Sequence, residues 1–159
     1  MRRCAIAWVR ANGKTKDLNH KGAKDTKDEP RADRGAPPDR WSNRVIGAAI
    51  AVHQALGAGF LESVYEEALC IELQERGIPF VRQAPVIVRY KGHVVGEGRL
   101  DLLVGGTLVV ELKTVESFAP IHVAQVLSYL QALGQPLGLL LNFKSAALGR
   151  EGVKRVILT

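Results

Sequence analysis

Arg99–Lys113 reads RLDLLVGGTLVVELK: two short apolar runs around Gly105-Gly106, with Asp101, Glu111 and Lys113 set among the aliphatics. Leu, Val and Thr on either side of a double glycine predict a β-hairpin. Strand side chains alternate faces, so Glu111 and Lys113 point the same way. The direction of Asp101 depends on register. A strict two-residue turn sets Asp101 opposite Val110 and mixes charge with aliphatics on both faces. A three-residue loop, Gly105-Gly106-Thr107, pairs Val104/Leu108, Leu102/Val110 and Leu100/Leu112 on one wholly apolar face. The other face then holds Leu103/Val109, Asp101/Glu111 and Arg99/Lys113. A one-residue slip exchanges faces, so the clean segregation selects the second register.

That register sets two carboxylates opposite one another, normally a destabilising pair. At ~5 Å and an effective dielectric of ~20 the repulsion is on the order of 3 kcal/mol. A hard divalent cation would reverse the penalty, because it takes carboxylate oxygens and keeps positions open for water and phosphate. A solvated face neutralised by Arg99 and Lys113 would do so too. The fifteen residues leave both open.

Length and composition bound the remainder. A chain of 159 residues suits one domain with a real core. Cys4 and Cys70 are its only cysteines, so neither a zinc cluster nor a disulfide framework is expected, which fits a reducing cytoplasm. No apolar run approaches a membrane span of ~18 residues. The basic start MRRCAIAWVR has too short an apolar core for a signal peptide.

Charge divides unevenly. Residues 1–40 carry eleven Lys/Arg and six Asp/Glu, a balance of +5; residues 41–159 carry eleven and ten, a balance of +1. The basic segment has almost no aliphatic periodicity after Val9, cannot offset its ordering entropy by burial, and is expected to be disordered. It reads as a solvated leader in preference to a phosphate-attracting tether.

The ordered domain, 41–159, is expected to start near Trp41, with Ser42 or Asn43 capping a helix on which Val45, Ile46, Ala49, Ile50, Val52 and Leu56 recur. His53 on that helix reads as a packed or surface residue. After the Gly57-Ala58-Gly59 turn a second helix spans about Leu61 to Arg76. Glu66, Glu67, Glu72 and Glu75 read as its solvated acidic face, whereas Glu62, at its start, is a carboxylate that the helix dipole favours. Phe80–Tyr90 reads as a strand interrupted near Pro85 and His93–Glu97 as another. Pro120 opens a third helix, running to about Leu133, with His122, Gln125 and Tyr129 on one face. Leu137–Phe143 is a strand covered on both sides, and Val153–Leu158 is the last strand. The sum is an α/β fold, a mixed β-sheet core flanked by helices.

Three groups of residues now fit one pattern. Gly59-Phe60-Leu61-Glu62-Ser63-Val64-Tyr65 matches GxxExxY; Asp101 followed by Glu111-Leu112-Lys113 matches a D…ExK core; Gln125 and Tyr129 match QxxxY. From Asn43 to Leu158 the chain resembles the GxxExxY protein family of the PD-(D/E)XK nuclease superfamily. Arg99-Leu100-Asp101 lacks the proline of the superfamily motif, which is often absent. The resemblance implies a restriction-endonuclease-like fold and a Mg²⁺-dependent nuclease, with Mn²⁺ able to substitute, hydrolysing phosphodiester bonds of DNA or RNA. It implies that Asp101 and Glu111 hold the metal with Glu62 as a further ligand or water holder, that Lys113 orients water or stabilises the transition state, that Gln125 and Tyr129 position substrate phosphate or brace Lys113, and that Tyr65 positions substrate. The implied partner is nucleic acid, not a membrane. A near-neutral domain also suits a non-catalytic nucleic-acid- or protein-binding module that retains the fold, or a vestigial site. A homo-oligomer could concentrate charge on one surface.

Overall fold

Every residue of Leu137–Asn142 is buried, as a continuous apolar run covered on both faces requires, and the sheet is built outward from it. The structure, a computed structural model, describes residues 38–159. The expected disorder of residues 1–40 falls almost wholly outside the described residues. In chain order the elements are α1 (Pro38–Leu56), α2 (Glu62–Glu75), β1 (Phe80–Tyr90), β2 (His93–Val104), β3 (Leu108–Lys113), α3 (Pro120–Leu133), β4 (Leu137–Asn142), α4 (Leu148–Glu151) and β5 (Val153–Ile157). The five strands lie in the order β1-β2-β3-β4-β5. β3 and β4 are parallel, joined through α3, and the other neighbours are antiparallel. This is a mixed sheet flanked by helices. Among the described residues no helix is long and apolar enough to cross a membrane.

Two apolar layers cover the sheet. On one face Val45, Ala49 and Val52 of α1 and Leu69 and Leu73 of α2 meet Leu102, Val110, Leu112 and Leu139. On the other, Val126 and Leu130 of α3 meet Ala84, Leu100, Val109 and Leu140.

Several boundaries differ from expectation. α1 begins at Pro38, so Ser42 and Asn43 lie inside the helix and not at its N-cap position. Ser42 is buried, while Asn43 Oδ1 accepts a hydrogen bond from Arg155 Nη2 at 2.9 Å. The strand expected at His93–Glu97 and the first arm of the hairpin are one strand, β2, because β1 pairs along its length. Pro85 does not interrupt β1: it faces Arg99 on an edge strand, where a missing N–H is tolerated.

The hairpin turn shows why two glycines stand together. Gly105 has φ +60, and a Cβ there would sit 2.4 Å from Trp41 Nε1. Gly105→Ala combines a left-handed backbone with a clash against the indole. It is expected to destabilise the domain by about 2–3 kcal/mol, read from urea unfolding.

Candidate active site

The hairpin adopts the three-residue loop. Val104 pairs with Leu108, Leu103 with Val109 and Leu102 with Val110. Beyond Leu102/Val110 the ladder stops and carboxylates take its place. The Leu112 N–H donates to Asp101 Oδ2 at 2.7 Å, and the Asp101 N–H donates to Glu111 Oε1 at 3.3 Å. Lys113 Nζ lies 3.6 Å from Glu111 Oε2.

Glu111 is 2% exposed and Asp101 and Lys113 are half-buried, so two acids share one cation at a site largely withdrawn from water. Burial pushes the Glu111 carboxyl up to about 8, the Asp101 charge adding to it and Lys113 opposing it. Burial raises Asp101 too, against the bond from Leu112 and the charge of Lys113. The energetic order is clear: desolvation of the charged form outweighs what one ammonium returns.

Glu62 opens α2 and faces the same group. Its carboxyl is raised, first by burial and then by Asp101 and Glu66, while Lys113 and a hydrogen bond from the Thr114 N–H pull it down. The chain is fixed immediately after Lys113. Asn142 Nδ2 donates to the Val115 carbonyl at 2.7 Å and Asn142 Oδ1 accepts from the Val115 N–H at 3.1 Å. Among the described residues no three His, Cys, Asp or Glu side chains draw together tightly enough to enclose a metal ion. Asp101 and Glu111 meet through the Asp101 N–H, and Glu62 feels the charges of Asp101 and Lys113.

Tyr65 departs from the substrate-positioning role that the resemblance implies. It is fully buried, stacked on Phe143 with centroids 4.6 Å apart. Its hydroxyl donates to the Gly57 carbonyl at 2.6 Å and accepts from the Phe60 N–H at 3.1 Å. Both bonds hold the loop that delivers Glu62, within which Gly59 has φ +115, a conformation that suits glycine. Thus the glycine and tyrosine of GxxExxY aim the glutamate, and Tyr65 acts beneath the site.

Gln125 and Tyr129 form a second brace. Gln125 Nε2 donates to Tyr129 Oη at 3.2 Å, and that hydroxyl donates to the Arg99 carbonyl at 3.0 Å. The Tyr129 ring lies over Gly98, where a Cβ would approach to 3.1 Å. This pair fixes β2 beside Asp101. His122 instead closes the start of α3, its Nδ1 accepting from the Ala119 N–H at 3.0 Å. His53 is packed, with Nε2 at 3.0 Å from the Ser145 carbonyl.

Glu66 was expected on a solvated face, and the structure overturns that. It is 8% exposed. Arg82 Nε donates to Glu66 Oε1 at 2.5 Å, and Gln83 Nε2 bonds both carboxylate oxygens at 3.0 Å. Arg82 also pairs with Glu67. The one available sequence signal was spacing: Glu66 follows Glu62 by one helical turn and shares its face.

Gln83 is unusual in its backbone, with φ +51. The strand register sets Arg82 opposite Leu102 and Ala84 opposite Leu100, so Gln83 stands opposite Asp101. Leu102 belongs to the α1/α2 layer and Leu100 to the α3 layer. Residues two apart normally share a face; here β2 changes faces at Asp101. The apolar face expected to unite Leu100 with Leu102 is therefore split at the acid.

The PD-(D/E)XK nuclease superfamily pattern matches residues 39–156. Among solved structures, the crystal structure of SSO0001 is similar at 19% identity, over 76% of this chain and 61% of that one, with a TM-score of 0.46. An alkaline exonuclease (LHK-Exo) from Laribacter hongkongensis is similar at 14% identity, over 74% of this chain and 71% of that one, with a TM-score of 0.43. The chain spans 61% of the first of these proteins. No curated protein matches the sequence.

Proposed function

The chain belongs to the PD-(D/E)XK nuclease superfamily, and from that premise we propose that it is a Mg²⁺-dependent nuclease that hydrolyses phosphodiester bonds of DNA or RNA. The observation that carries this is the nearly buried Asp101–Glu111 pair beside Lys113. Two hard oxygen donors held against their mutual repulsion suit Mg²⁺ or Mn²⁺. Such ions are commonly bound by one or two carboxylates, with water and phosphate completing the shell. Asp101 and Glu111 would hold the ion, and Glu62 would hold one of its waters or join as a further oxygen ligand. When bound, the ion supplies charge stabilisation at the phosphoryl oxygens and acidifies an attacking water.

The protein's own groups supply the remainder. Lys113 offers a hydrogen-bond donor to a phosphoryl oxygen or to the attacking water. The Leu112 N–H fixes the Asp101 carboxylate, and Gln125 with Tyr129 keeps β2 in place, so the acids are oriented before substrate arrives. Tyr65 holds Glu62 at the mouth of the site through the Gly57–Phe60 loop.

The test is cleavage of single- and double-stranded DNA and RNA by pure protein, with Mg²⁺, Mn²⁺ or chelator, beside Glu111→Gln. Metal-dependent cleavage lost in the variant supports the reading. The near-neutral charge of residues 41–159 favours the second reading, a binding module that retains the fold. That reading requires nucleic-acid or protein binding that persists while cleavage is absent with every metal.

Glu62 has its own expected result. As a helix-end charge alone, Glu62→Gln would change stability by up to about 1 kcal/mol and leave metal affinity unchanged. As a ligand or water holder it should weaken Mn²⁺ binding by calorimetry about tenfold or more. Parent-like affinity in Glu62→Gln would remove Glu62 from the site.

A further inference from the structure

We propose that Glu66, Arg82 and Gln83 form a clamp whose task is to seat Asp101, making Glu66 and Gln83 positioning residues of the site; the inference rests on the metal-site reading above. Three observations converge on one place. Gln83 holds a left-handed backbone, φ +51, which a glutamine rarely adopts unaided. Its side chain is tied by two hydrogen bonds to the buried Glu66 carboxylate, which Arg82 neutralises. Opposite Gln83, β2 changes faces at Asp101, with Leu102 on the α1/α2 layer and Leu100 on the α3 layer.

The causal chain runs from helix to acid. α2 presents Glu66 one turn after Glu62. Glu66 draws the Gln83 amide and the Arg82 guanidinium onto the helix side of the sheet. Gln83 is thereby kept at positive φ, and β1 reverses which face its residues meet: Arg82 joins α2, Ala84 the α3 layer. β2, paired to β1 on both sides of this point, must reverse at the same place. Asp101 is the residue at the reversal. Its carboxylate is thereby turned out of the ladder to accept from the Leu112 N–H and to meet Glu111. One helix thus serves the site twice, through Glu62 directly and through Glu66 by way of the strand.

Alanine and glycine at position 83 separate conformation from contact. Both remove the two bonds to Glu66, but glycine adopts positive φ freely and alanine does not. The readouts are Mn²⁺ affinity by calorimetry and hydrogen-exchange protection of the Leu112 amide, which reports whether Asp101 is seated without any metal. Gln83→Ala should weaken Mn²⁺ binding about tenfold or more and reduce Leu112 protection. Gln83→Gly should stay within about twofold of the parent in both. Glu66→Ala should resemble Gln83→Ala, and adding Gln83→Gly to it should restore Leu112 protection. The proposal is overturned if Gln83→Ala keeps parental Leu112 protection, or if Gln83→Gly loses as much as alanine. A parent that binds no Mn²⁺ yet shows the expected Leu112 pattern rejects the metal site and leaves the clamp standing. A melting curve for each variant shows whether the domain is folded. Should Glu66→Ala unfold, the two position-83 variants decide alone.

Discussion

Glu111→Gln is expected to lower metal-dependent cleavage by about 10³-fold or more, because it removes one of two neighbouring carboxylates and with it the charge that fixes the ion. A neutral amide is a poor ligand for a hard cation, so Mn²⁺ affinity should fall in the same variant. Loss of function should come with a gain in stability. In the metal-free parent at pH 8 the buried pair is held together against desolvation and mutual repulsion; the amide has neither cost and keeps an oxygen able to accept from the Asp101 N–H. Activity and melting temperature should therefore move in opposite directions, which a misfolded variant would not show. A Glu111→Gln protein that cleaves like the parent would end the nuclease reading built on this pair.

The second large effect is a dependence of stability on pH in the absence of metal. The Glu111 carboxyl stands at about 8 in the folded protein against an ordinary 4.5, and Asp101 and Glu62 are raised as well. Below pH 4.5 Glu111 is protonated in both folded and unfolded chains, and its contribution is fully present. Between 4.5 and 8 the unfolded chain releases the proton while the folded one retains it, so stability falls as pH rises and levels off above 8. Glu111 alone makes the fall on the order of 5 kcal/mol. Urea unfolding of metal-free protein from pH 5 to 9 measures it, with Glu111→Gln as the reference that lacks this carboxyl. The parent's slope should be clearly steeper. Mn²⁺ at pH 8 should restore stability by binding only the folded state. Equal slopes for the two proteins would show that Glu111 is not held as a protonated acid.

Much of the hairpin was legible because alternation is a strict constraint. Only one register separates Val104, Leu102, Val110 and Leu108 from the charged residues, and that register is observed. α3 was legible from Pro120 at its start and Gly134 at its end, where φ is +65. The reversal at Asp101 was not legible, since no residue type announces it: Gln83 takes its positive φ from bonds to a distant helix. Glu66 was misread for a related reason. Glu66, Glu67, Glu72 and Glu75 look alike in sequence, and of these only Glu66 meets both Arg82 and Gln83 from β1. Tyr65 showed the limit of motif reading. The pattern marks it as essential without saying whether its hydroxyl meets substrate or holds a loop, and burial decides for the loop.

Among the described residues β1 and β5 border the sheet, and an unpaired strand border can recruit a strand from another molecule into fibrous aggregates. β1 resists such recruitment by two features already met. Pro85 offers no amide hydrogen to an incoming chain, and the left-handed turn of the backbone at Gln83 breaks the straight template that a docking strand would follow. At the opposite border Lys154 and Arg155 are exposed on β5, and paired copies would bring like charges together. The backbone irregularity that turns Asp101 toward Glu111 therefore also guards the molecule against lateral self-association.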